Sequence, residues 1–162
     1  ARGLRVQHAP FLQVNRMFSR ILTVCTGNIC RSPAAEYLLR QRVASSGSRI
    51  EARSAGIGAL VNHPAEEATR ELMSARGVDL SSHRASQLTP ERLRWAELVL
   101  VMERHHREAV LAMDPTARGK TFLIGHWTKK EIPDPYRRGN EAHADALQLI
   151  EEALEPWVSK LC

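Results

Sequence analysis

The chain has 162 residues, 43% of them hydrophobic, with a formal net charge of +5 and three cysteines. That length predicts one domain with a sizeable core. No apolar run approaches the ~18 residues that span a bilayer, and three cysteines in a chain this long argue against a disulfide framework and for a reducing compartment, the cytoplasm. The charge invites a nucleic-acid reading, but Arg2, Arg5 and Arg16 fall in residues 1 to 16 with no acid, leaving 20 basic against 18 acidic side chains elsewhere. With 5% aromatic residues and no basic run interleaved with them, a nucleic-acid module is disfavoured.

Residues 1 to 16 read as a leader, either left by cloning or disordered, with Met17 where the domain over residues 17–162 would start. Phe18 to Val24 is the first predicted strand. Its β-branched run Ile21-Leu22-Thr23-Val24 stops at Cys25, and the Gly27-Asn28 pair favours a tight loop. The next helix is predicted from Pro33 to about Ser46, with Ser32 as N-cap and Pro33 at the first helical position. A strand-loop-helix unit of this kind suits a phosphate: successive backbone N–H groups at a helix N-terminus form an anion-binding nest. Thiols at such a position beside an arginine favour the nucleophilic thiolate, which makes Cys25 a candidate nucleophile. Arg31, six positions on, can fork two N–H groups onto phosphate oxygens. By composition alone, Cys-x5-Arg-Ser is expected by chance roughly 0.04 times in this chain.

Arg49 to Ala55 is a second strand, followed by Gly56-Ile57-Gly58. As a dinucleotide fingerprint this triplet is weak, because the third glycine position holds Val61 and no acidic partner follows. Pro64 to Arg76 is a helix ended by Gly77, and a short helix follows Thr89-Pro90. Leu98 to Met102 is a buried parallel strand, Glu103 to Met113 a helix, and Thr121 to Ile124 a fourth strand. Asn140 to Val158 closes the chain as a helix with Ala146, Leu147, Ile150, Leu154 and Trp157 on one face. Strands alternating with helices give an α/β fold, a parallel sheet covered on both faces with its ligand at the carboxyl ends of the strands, where Cys25 falls. Asp134, in a loop between Pro133 and Pro135, is a candidate general acid. His105 and His106 are adjacent on a predicted helix and point apart. The other histidines show no ligand spacing, so all are read as surface or packing residues and neither a metal nor a cofactor is expected.

Cys25-Thr26-Gly27-Asn28-Ile29-Cys30-Arg31-Ser32-Pro33 resembles the phosphate loop of the low-molecular-weight protein tyrosine phosphatases. The resemblance continues through Ser54-Ala55-Gly56-Ile57-Gly58-Ala59-Leu60, Leu100-Val101-Met102-Glu103, Gly125-His126-Trp127 and Ile132-Pro133-Asp134-Pro135-Tyr136, nearly the whole chain from Phe18. Within that family the chain is most similar to the bacterial branch associated with capsule and exopolysaccharide tyrosine kinases. The resemblance implies a single-domain three-layer sandwich with a four-stranded parallel sheet in order 2-1-3-4. It also implies a monomer acting on a phosphotyrosine protein, such as an autophosphorylated bacterial tyrosine kinase, with no nucleic acid and no membrane insertion. Cys25, Arg31 and Asp134 would be catalytic. Thr26, Gly27, Asn28, Ile29, Cys30 and Ser32 would bind phosphate or support the loop, and Leu60 and Tyr136 would wall the substrate cleft. The family also suggests a reversible Cys25–Cys30 disulfide, and its protein-arginine phosphatases carry threonine where this chain has Ile29. A protein-arginine phosphatase is therefore the runner-up reading. An arsenate reductase of the same fold would need two further cysteines, and none lies between Cys30 and Cys162.

Overall fold

The computed structural model describes residues 18–162, so the reading of residues 1 to 16 as a leader, and of Met17 as a start, lies outside the described residues. Four strands, β1 (Arg20–Cys25), β2 (Glu51–Gly56), β3 (Leu98–Val101) and β4 (Thr121–Leu123), form one sheet in the order β2-β1-β3-β4, all parallel. Five α-helices accompany them: α1 (Arg31–Ala44), α2 (Glu67–Ser74), α3 (Pro90–Trp95), α4 (Arg104–Met113) and α5 (Asn140–Leu161). Two 3₁₀ turns, Pro115–Lys120 and Ile124–His126, flank β4 and carry no periodic pattern that the sequence reading could detect.

The period-2 geometry of strands sorts the core into two layers. Ile21, Leu98 and Leu100 point to the face covered by α1, α2 and α5, where Leu38, Leu39, Met73, Ile150 and Leu154 pack. Leu22, Val24, Val99 and Val101 point to the other face, under Leu93 of α3 and Val110 of α4. Both faces are buried, which is why these strands read as continuous apolar runs. The predicted face of α5 is buried throughout, and Trp157 Nε1 donates to the Ile124 carbonyl at 2.8 Å, pinning the helix beside the end of β4. No helix among the described residues is long and apolar enough to cross a membrane.

The sheet order positions the site. From β1 the chain moves outward to β2, then returns to the opposite side for β3, so the topological switch point lies between β1 and β3. At the carboxyl end of β1 stands Cys25; at that of β3, Met102 donates its N–H to the Val24 carbonyl at 3.2 Å, and Glu103 follows. The N-termini of α1 and α4 therefore open into the same crevice.

Two local expectations differ from the structure. Helix α1 starts at Arg31 with Cys30 as N-cap, making no side-chain cap, so Ser32 and Pro33 occupy its second and third positions. Proline is tolerated there because first-turn amides lack intrahelical acceptors. Helix α2 begins at Glu67, three residues later than its pattern suggested: Glu66, its N-cap, has a non-helical ψ of 140° and donates its N–H to the Ile29 carbonyl at 2.8 Å.

Candidate active site

The loop from Cys25 to Arg31 is polarised by its neighbours. Segment 57–66 takes four of its carbonyls: Ile57 N–H donates to Cys25, Gly58 to Thr26, Leu60 to Gly27 and Glu66 to Ile29, at 2.8–3.1 Å. His83 Nε2 donates to the Asn28 carbonyl at 2.7 Å, and Ala34 N–H to that of Cys30 at 3.3 Å. Every carbonyl from Cys25 to Cys30 is thereby occupied. The amides of Gly27 to Arg31 donate to no protein acceptor among the described residues. With the carbonyls tied outward, the N–H dipoles are left to converge on the loop's interior, the condition for an anion nest.

Asn28 makes this curvature possible. Its φ of 59° is the left-handed conformation that asparagine tolerates better than most residues. The side chain is fully buried: Nδ2 donates to Ser32 Oγ at 2.8 Å and Ser54 Oγ at 2.9 Å, while Oδ1 accepts from Ser86 N–H at 2.9 Å. Ser54 in turn donates to Glu36 at 2.5 Å. Burial raises the Glu36 carboxyl, against the lowering effect of Ser54 and Arg40. Because Ser32 Oγ accepts from Asn28, its own proton is free for Cys25 Sγ, 2.9 Å away. Ser32 thus serves the sulfur, where local propensity had suggested a helix cap.

Gly56, paired with Cys25 across β1 and β2, presses against the back of the loop; a Cβ there would lie 2.4 Å from the Thr26 carbonyl oxygen and 3.1 Å from Asn28 Cβ. Gly56→Ala is expected to destabilise the fold by about 1–3 kcal/mol, since backbone rather than a flexible side-chain end must give way. A lower urea midpoint with unchanged slope is the expected result, and a midpoint equal to wild type would show that the loop can yield.

Arg31 is 2% exposed. Its Nη1 donates to the Ile132 carbonyl at 2.8 Å and forms a close ion pair with Glu103, while Nη2 faces Asp134 Oδ2 at 3.8 Å. Burial alone would raise the Glu103 carboxyl, but the Arg31 hydrogen bond and charge outweigh it and hold it below the usual range. Asp134 is fixed locally, its Oδ1 accepting from Tyr136 N–H at 3.1 Å. Cys25, Thr26, Ile29, Arg31, Leu60, Asp134 and Tyr136 line one cavity of about 160 Å³, with Leu60 and Tyr136 on its exposed rim. A larger hollow of about 490 Å³ between Glu67 and Ser81 contains no candidate nucleophile. Cys30 also borders the cavity; burial pushes its thiol up to about 12, and both it and Cys25 are free thiols.

The expectations for histidine require correction. His105 and His106 do not point apart: their ring centroids lie 4.1 Å from each other. His106 and His83 are also more than surface or packing residues, for both are buried and bonded to the loop. Burial lowers His83 against the opposing effect of its Asn28 contact. Glu103, His105 and His106 bring three ligand-type atoms within 4.8 Å, but Glu103 already holds Arg31, and both ring nitrogens of His106 have partners. The spacing Glu-x-x-His across a helix start, the separation of a capping box, was the local signal available for His106.

Residues 20–162 match the family model described as low molecular weight phosphotyrosine protein phosphatase. Etp of Escherichia coli K12, named a low molecular weight protein-tyrosine-phosphatase, is 43% identical over 145 residues, covering 89% of this chain and 95% of Etp. The crystal structure of the tyrosine phosphatase Wzb from Escherichia coli K30 in complex with sulphate superposes with a TM-score of 0.84 at 45% identity, covering 90% of this chain and 100% of that one. Vibrio vulnificus Wzb in complex with benzylphosphonate gives 0.84 at 42% identity, over 89% of this chain and 99% of that one. The switch-point crevice, the outward-tied loop and these likenesses together establish that the chain belongs to the low molecular weight phosphotyrosine protein phosphatase family.

Proposed function

We propose that this chain removes phosphate from phosphotyrosine in proteins by two successive phosphoryl transfers through Cys25. In the first, Cys25 Sγ forms a bond to phosphorus as the phosphorus–oxygen bond to the tyrosine ring breaks, and the departing phenolate takes a proton from Asp134. In the second, water gives a proton to Asp134 and attacks phosphorus, the sulfur–phosphorus bond breaks, and the sulfur leaves as thiolate beside the Ser32 hydroxyl. Arg31 and the loop amides hold the phosphoryl oxygens throughout. The observation that carries this reading is the loop whose carbonyls are all tied outward around Cys25, with Arg31 and Asp134 on the same cavity.

Tyrosine is the favoured substrate residue because the walls offered to its ring are apolar: Ile29 within the loop, with Leu60 and Tyr136 at the rim. The relatives named as tyrosine phosphatases support this, as does the benzylphosphonate held by Vibrio vulnificus Wzb, a benzyl ring joined to an anionic phosphorus group. The resemblance of the phosphate loop and its flanking segments to the exopolysaccharide-associated branch of the family favours a cytoplasmic enzyme acting on an autophosphorylated tyrosine kinase of polysaccharide export. Specificity constants on matched phosphotyrosine and phosphoarginine peptides test the substrate assignment. Wild type is expected to prefer phosphotyrosine, and Ile29→Thr to shift the ratio towards phosphoarginine by about tenfold, the scale of one changed apolar contact. A wild-type preference for phosphoarginine would refute the assignment; an unchanged ratio in Ile29→Thr would remove its stated cause.

A further inference from the structure

Helix α4 grips the phosphate loop twice. Glu103, just before it, holds Arg31, and His106 reaches the residue that follows the nucleophile. His106 is fully buried. Its Nδ1 receives the Glu103 backbone N–H at 3.0 Å, and its Nε2 lies 2.9 Å from Thr26 Oγ1. A backbone N–H can only donate, so Nδ1 presents a lone pair and the neutral ring carries its single proton on Nε2. Nε2–H therefore donates to Thr26 Oγ1, which becomes an acceptor in that contact and must spend its own proton elsewhere. Thr26 Oγ1 has no other hydrogen-bond partner among the described residues, and Thr26 lines the cavity that holds Cys25 and Arg31.

We infer that His106 is a positioning residue that turns the Thr26 hydroxyl proton into the anion cavity, making Thr26 a side-chain donor to the bound phosphoryl group. The arrangement repeats that of Ser32, whose acceptor side is taken by Asn28 and whose proton is thereby directed to Cys25. Burial, then the charges of Arg31 and His105, pushes His106 down to about 4 against the opposing carboxylates of Glu103 and Asp134, so the ring stays neutral at ordinary working pH. A protonated ring would set an Nδ1–H against the Glu103 N–H and lose the contact that selects the tautomer.

This assignment rests on the phosphatase reading above, but its test needs no covalent intermediate. In the wild-type protein, long-range nitrogen–proton NMR correlations read the His106 tautomer directly; the Nε2–H form is expected, and an Nδ1–H ring would overturn the inference. Inhibition constants for inorganic phosphate then read the donor. Thr26→Val keeps the shape, removes the hydroxyl and is expected to weaken phosphate binding about ten- to a hundredfold, the range for one hydrogen bond to a charged group. Unchanged binding would overturn the inference.

Two conservative variants separate positioning from helix capping. His106→Gln keeps a donor at the reach of Nε2, and His106→Asn keeps an acceptor near Nδ1. Positioning predicts that His106→Gln holds phosphate within about threefold of wild type. It also predicts that His106→Asn loses as much as Thr26→Val, and that combining His106→Asn with Thr26→Val adds no further loss. The reverse ranking, or additive losses, would reduce His106 to a cap of α4. An active Cys25→Ser protein would refute the cysteinyl-phosphate pathway while leaving these measurements standing, and their failure would leave that pathway untouched.

Discussion

Cys25→Ser is expected to lower turnover of para-nitrophenyl phosphate and phosphotyrosine peptides by about four orders of magnitude or more, the scale seen when a covalent nucleophile is removed. Phosphate binding should survive within a few-fold. The amides of Gly27 to Arg31 stay directed inward because their carbonyls are held by segment 57–66 and His83, and Arg31 stays held by Glu103 and Ile132. Serine fails as the nucleophile because its hydroxyl is hardly ionised near neutral pH and makes a far poorer leaving group from phosphorus than a thiolate. Rapid-quench measurement of the phosphorylated protein, alongside direct titration of phosphate binding by calorimetry or NMR, checks both halves. Turnover near wild type would remove Cys25 from the reaction. Lost turnover with lost phosphate binding would instead mean that the sulfur shapes the loop through Ser32.

The second large effect is expected at Asp134. Asp134→Asn should slow phosphorylation of the enzyme by a phosphotyrosine peptide about 10²–10⁴-fold, the usual contribution of a positioned general acid. A phenol with pKa near ~10 leaves poorly without a proton, whereas the nitrophenolate of para-nitrophenyl phosphate leaves far more readily and should suffer much less. The amide is nearly isosteric and can still accept from Tyr136 N–H, so the loop geometry should be retained. Pre-steady-state rates on the two substrates decide the matter; an equal loss on both would make Asp134 a structural partner of Arg31, 3.8 Å away, instead of an acid.

What could be read from the chain alone was whatever local chemistry encodes. The β-branched run into Cys25, the Gly27-Asn28 turn, Arg31 six residues on and the apolar faces of the helices are short-range signals, and the structure has them within a few residues of where they were expected. Asn28 is the clearest example, because its left-handed conformation is a property of the residue and its turn. The strand order came through the family resemblance, since periodicity says which residues are buried but not which strands are neighbours.

Tertiary structure alone decided the partners. Ser32 looked like a helix cap because capping preference is local, but the fold brings Asn28 Nδ2 and Cys25 Sγ to its hydroxyl, and α1 starts two residues earlier than expected. The first turn predicted for α2 is likewise absent, Glu66 standing outside the helix with its amide on the Ile29 carbonyl. His106 lies 80 residues from Thr26 and His83 lies 55 from Asn28, and no local pattern announces either contact. Both follow from a switch point that sets the ends of β1 and β3 side by side. Sequence spacing specifies the groups proposed to meet phosphate because they lie on one turn of chain, whereas the groups that orient them come from distant elements whose arrival depends on the packed sheet.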